Sequence, residues 1–168
     1  MSFPKNAVLT AIILTGSLAN ATAQTSLPEA IAAPGETPIL TLHAEGAQVY
    51  ECKTSADGAL AWAFREPIAT LFSDGKTVGR HYAGPTWEYT DGSAVVGQVL
   101  GTAPGQVAMD IPWLKLGVTS RRGSGVLGPA TTVQRINTMG GKLNGACYKP
   151  GTYESVPYSA DYVFLRKG

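Results

Sequence analysis

The chain predicts an all-β domain, and three observations carry that expectation. Apolar and polar side chains alternate with a period of two in short runs, most clearly where Leu60, Trp62 and Phe64 interleave with Ala61, Ala63 and Arg65. Turn signals built on glycine, proline and Asp-Gly recur about every ten residues. No amphipathic helix is legible beyond the N-terminal segment. About ten short strands result, arranged as an antiparallel barrel or a Greek-key sandwich. A β-trefoil is the alternative, although no clear threefold repeat is present.

The first 23 residues stand apart. Lys5 supplies a weakly positive start, Ala7 to Leu14 form a short apolar run, and Ala21-Thr22-Ala23 give the small-x-small pattern before Gln24. That is the pattern of a secretory signal peptide over 1–23, too short to span a bilayer. With no cysteine beside the cleavage point, a lipid-modified N-terminus is not expected. The mature chain is expected to be exported, to periplasm or medium, and soluble. Residues 24–38, with Pro28, Pro34, Gly35 and Pro38, read as an extended arm ahead of one β domain over 39–168.

Within that domain, Ile39–Leu42 and Gln48–Cys52 read as separate strands, Asp57-Gly58 as a turn, and Leu60–Phe64 as the half-buried strand noted above. Ile68–Phe72 follows, closed by Ser73-Asp74-Gly75-Lys76, where Asp-Gly supplies the positive φ of a type I′ hairpin. Thr77–Tyr82 returns. Thr86–Thr90 and Ser93–Leu100 make a second hairpin about Asp91-Gly92. Ile111–Thr119 is β-rich, with Pro112 confined to an edge or first strand position. Gly123–Pro129 reads as a flexible connection, and Thr131–Thr138 and Ala160–Arg166 as the last strands.

Charge and cysteine usage narrow the function. Without Lys5, the mature part carries 12 basic and 12 acidic side chains and no long run of either sign. Nucleic-acid binding needs a basic stripe to displace counterions, and a polybasic membrane anchor needs a similar cluster; neither is expected. Cys52 and Cys147 are the only cysteines. In an exported chain they are expected to pair. Closing a loop of about 96 residues contributes at most roughly 4–5 kcal/mol in a chain-entropy account. No metal site is expected, because no pair of cysteines or histidines sits at ligand spacing, and no cofactor is implied.

Five motifs occur in order: Gly46–Cys52, His81–Ser93, Ile111–Leu114, Gln134–Gly141 and Val156–Tyr162. Together they resemble the domain-of-unknown-function family numbered 3455, exported bacterial proteins with fungal relatives described as appressorium-specific. The resemblance covers nearly all of the mature chain and carries no catalytic residue with it.

The stretch His81–Ser93 concentrates chemistry: a histidine, a tryptophan, two tyrosines and two carboxylates, with Gly84-Pro85 breaking the chain and Asp91-Gly92 turning it back. Gly123-x-Gly125-x-x-Gly128 has the letters of a dinucleotide fingerprint, but Pro129 and a threonine-rich strand follow where a helix is needed. Ser93 and Ser124 lie outside any G-x-S-x-G elbow. Glu88 and Asp91 resemble a glycosidase carboxylate pair in type, yet Asp91 reads more simply as a turn residue and Glu88 as solvent-facing. Trp62 reads as core and Trp87 as the best exposed stacking platform. Arg135 reads as an anion clamp or as a partner of Asp161 or Glu88. His81, beside the small residues Thr77 and Gly79, reads as a pocket residue or as a hydrogen-bonded structural one.

The leading expectation is a non-catalytic binding module for a carbohydrate or other small polar ligand, its pocket lined by His81, Trp87, Glu88, Arg135, Asn137 and Tyr158. A hydrolase of esters or glycosides using His81 with Asp91 or Asp161 is the competing reading, and a structural or surface-interaction protein the third. Oligomeric state is not legible.

Overall fold

A computed structural model describes residues 27–168; the expected signal peptide and the first residues of the arm lie outside the described residues. Eight antiparallel strands close into a barrel in chain order: β1 (Glu36–Thr54), β2 (Leu60–Ser73), β3 (Lys76–Tyr82), β4 (Thr86–Tyr89), β5 (Ala94–Ala103), β6 (Trp113–Arg122), β7 (Thr132–Gly140) and β8 (Tyr153–Lys167). β1 pairs with β8 to seal the ring. Among the described residues no edge strand is left and neighbouring strands are neighbours in sequence, so there is neither a Greek-key crossover nor a trefoil repeat there.

Eight strands replace the ten expected because two of the sequence's apparent breaks are not breaks. Gly46 lies mid-strand in β1, where any side chain would collide with the Ile68 and Ala69 backbone of β2, so glycine marks a close approach. Arg65-Glu66-Pro67 also continues its strand: Pro67 faces Gln48, next to the register shift at Val49/Tyr50, where a missing N–H is tolerated. The expected type I′ turn forms, with Asp74 at φ 50° and Gly75 at φ 73°.

One end of the barrel is packed solid. Leu42, Leu71, Val95, Val133 and Phe164 are fully buried together with Leu127 and Ala130 of the β6–β7 loop. That loop, expected to be a flexible connection, is a fastened lid. Asp91 Oδ2 accepts Val126 N–H at 2.7 Å, Asp91 Oδ1 accepts the Ser93 backbone N–H at 2.8 Å and its hydroxyl at 2.6 Å, and Leu127 N–H donates to Ser93 Oγ. Gly125 is required there because a β-carbon would overlap the Asp91 carboxylate. Hydrogen bonds to Ser93 and Val126 hold the Asp91 carboxyl below its ordinary range. Its contribution is therefore present above the unfolded carboxylate pKa and lost as pH falls through the depressed folded value. Asp91→Ala should lower the melting temperature at neutral pH and lose part of that effect in acid; an unchanged melting curve at pH 7 would show that the lid is held otherwise.

The expected extended arm is a buttress. Glu29–Ile31 form a single 3₁₀ turn with Ile31 buried. Gln134 Nε2 donates to the Ile31 carbonyl at 2.6 Å, and Lys115 Nζ to the Ala32 carbonyl at 2.9 Å. Cys52 and Cys147 form the expected disulfide, with Cα atoms 5.7 Å apart. Among the described residues no helix is long and apolar enough to cross a membrane.

Candidate functional site

The opposite half of the barrel is not filled. A cavity of about 540 Å³ opens there, beneath the β1–β2, β3–β4, β5–β6 and β7–β8 loops. Its wall takes Gln48 and Tyr50 from β1, Phe64 and Pro67 from β2, His81 from β3, Trp87 from β4, and Val99 from β5. Leu114 and Leu116 come from β6, Arg135 from β7 and Tyr162 from β8. Inward-facing positions recur about every second residue, and each strand supplies between one and three side chains to this end of the barrel.

His81 and Trp87 sit opposite one another on paired strands. Their rings stack 4.5 Å apart and 10° from parallel, and Tyr162 packs against both. Gly97 makes room for the indole: a β-carbon there would lie 3.2 Å from Trp87 Cζ3. His81 Nδ1 lies 2.8 Å from the Thr86 carbonyl, which can only accept, so Nδ1 carries the proton and the neutral ring presents Nε2 as an acceptor. Burial depresses the His81 pKa to about 3, partly opposed by the Thr86 bond. Burial likewise raises the phenol pKa values of Tyr158 and Tyr162, whose hydroxyls lie 3.3 Å apart.

This depressed histidine predicts a pH dependence. The unfolded chain takes up a proton as pH falls through 6.5, while the folded chain stays neutral until about 3. Stability is thus fully present above 6.5 and is lost progressively as pH falls from 6.5 toward 3, by at most about 1.4 kcal/mol per pH unit. Above the carboxylate range, between about pH 6.5 and 5, His81→Gln should flatten the slope measured by urea denaturation; an unaltered slope would exclude His81 as its source.

Arg135 donates Nε and Nη2 to the Pro112 carbonyl, at 3.0 and 2.8 Å. It pairs with neither of the acids considered from the sequence. Asp161 instead meets His43 and Asn137, each at 2.8 Å. Among the described residues three buried donors meet no acceptor in hydrogen-bond geometry, Gln48 Nε2, Trp87 Nε1 and Trp113 Nε1, and the first two belong to residues that line the cavity.

Of the six residues expected to line the pocket, His81, Trp87 and Arg135 do so together. Tyr158 lies buried just behind, through its contact with Tyr162. Glu88 and Asn137 face outward. Glu88 neighbours Trp87 in an extended strand and must point to the other side; there Arg80, Arg122 and the Tyr82 hydroxyl hold it, at 3.1, 2.9 and 2.8 Å. These bonds, the Tyr82 one largest, keep the Glu88 carboxyl below its ordinary range. Asn137 should share a face with Arg135, but a register break between Ile136 and Met139 places it at φ 51° and turns it outward. Trp87 is fully buried rather than an exposed platform, and Trp62 is only half-buried. Asp91 is committed to the lid at the far end. Gln48, Tyr50 and Leu114 also line the chamber without standing out in the sequence, as does Tyr162, one of the surplus aromatic residues. Gln48 carried a signal: it is polar at an inward-register position of β1, two residues from Gly46 and four from Ala44.

The geometry defines a closed eight-stranded up-and-down β-barrel with an internal chamber open at one end. Residues 32–166 match the family described as "Protein of unknown function (DUF3455)", and the chain belongs to that family. No curated protein and no solved structure matches it.

Proposed function

We propose that this is an exported, non-catalytic binding protein that takes one small molecule into the open half of its barrel. The cavity carries the reading: its volume lies in the range that encloses small organic ligands, its walls are mostly apolar, and a few polar groups converge on it. The disulfide supports export, since such bonds persist in oxidising compartments. A carbohydrate, attractive from the aromatic content, fits less well than a molecule with an apolar or planar body. Trp87, His81 and Tyr162 spend their faces on one another, and sugar hydroxyls would meet too few partners on such walls. The hydrolase reading finds no support in the lining, which contains no aspartate, glutamate, serine or cysteine.

The neutral dye N-phenyl-1-naphthylamine tests the reading. It should brighten on binding the mature protein, and Leu114→Trp, which fills part of the cavity, should weaken its binding about tenfold. Absence of brightening, or equal binding to the filled variant, would remove the cavity as the site.

A further inference from the structure

We infer that the ligand is a small organic carboxylate, its charged end on Arg135 and its apolar body against Pro67, Val99, Leu114 and Leu116. The inference rests on the binding reading above and adds what the ligand must carry.

Arg135 is a partly buried guanidinium without a counter-charge. Its two hydrogen bonds go to a neutral carbonyl, and among the described residues no carboxylate pairs with it. Guanidinium has five N–H donors; Pro112 takes two and the Tyr162 phenol lies against the group, so a pair of donors remains for a ligand. The Pro112 bonds fix the plane of the fork, which makes the remaining donors pre-positioned for a planar anion. A positive charge facing apolar walls is costly unless an anion joins it.

The surroundings point the same way. Gln48 Nε2, nine-tenths buried or more, is a second donor with no acceptor in good hydrogen-bond geometry, the Tyr158 phenol lying beside it. His81 contributes no charge, and its Nδ1 proton is taken by Thr86. The other cation on the wall, Arg65, is exposed at the rim and engaged by Glu66 and the Tyr153 ring. The cavity therefore offers one strong cationic fork within an otherwise neutral, largely apolar wall. That suits a single negative charge on an apolar body. A phosphate, carrying more charge, would need more cations than are present.

A matched pair of competitors decides the matter. Trans-cinnamate and trans-cinnamamide share a skeleton and differ in charge, and each can be titrated against bound N-phenyl-1-naphthylamine. Cinnamate should displace the dye at about tenfold lower concentration than the amide. In Arg135→Gln that ratio should fall to about one, and in Arg135→Lys it should take an intermediate value, because the charge survives without the fork. The lysine variant also guards against a glutamine variant that fails to fold. An amide that competes equally well, a cinnamate that fails to displace the dye, or a preference that persists in Arg135→Gln would each overturn the inference while leaving the dye-binding cavity in place. Failure of the dye itself to bind would overturn both readings.

Discussion

Trp87→Ala is expected to lower the free energy of unfolding by about 3–5 kcal/mol, the range for emptying a fully buried aromatic site. The indole is enclosed by His81 on one face and by Tyr162 and Phe164 edge-on, and Gly97 is cut back to admit it. It is also the main anchor of β4, a strand of four residues that pairs with β3 and β5 over short ladders. Collapse into the vacated space is unfavourable because the barrel wall is fixed by hydrogen bonds on all sides, so the cavity term should be large. Urea denaturation measures it. A second readout separates packing from a mere propensity effect. Water entering the enlarged chamber should raise the His81 pKa from about 3 toward its ordinary 6.5, visible in imidazole proton shifts by NMR. Trp87→Phe should retain most of the stability and keep His81 low. A loss of under 1 kcal/mol in the alanine variant, with His81 unmoved, would mean that the barrel closes around its own seam without the indole.

The same residue shows what the sequence made legible and what it did not. Period-two alternation and Asp-Gly turns identify a β meander, because pleating and turn stereochemistry are local. Strand length is less local. Gly46 and Pro67 look like interruptions, yet one marks a close backbone approach and the other sits beside a register shift; both depend on the neighbouring strand. Facing is legible only while register holds. Alternation alone separates Trp87 from Glu88. It fails at Asn137, where the β7 irregularity turns a side chain that simple counting puts beside Arg135. Whether an inward aromatic lies in solid core or beside a chamber depends on what fills each end of the barrel. Here that difference is set by Leu127 and the lid that Asp91 fastens, 36 residues from each other in sequence.

Replacing both cysteines by serine should cost up to about 4–5 kcal/mol, and almost all of it should come from the unfolded chain. The Cys52–Cys147 bond spans 95 positions, yet it adds little to the folded barrel. β1 and β8 are already paired along their length, and the backbone at Cys52 bonds Thr152 and Gly151 on its own. What the bond removes is the freedom of a long unfolded loop. Two measurable consequences follow in guanidinium denaturation. The midpoint should fall in the double variant, and the slope m should rise, because an unlinked denatured chain exposes more surface. A purely local role makes the opposite forecast. If the bond only tethers the β7–β8 loop near Cys147, where Ala146 and Tyr148 are exposed, midpoint and m should barely change, while proteolysis within 142–150 accelerates. A loss of unfolding free energy under 1 kcal/mol with unchanged m would therefore place the staple's effect in that loop and not in the chain as a whole. The large outcome would instead make folding strongly dependent on an oxidising compartment, in line with the export proposed above.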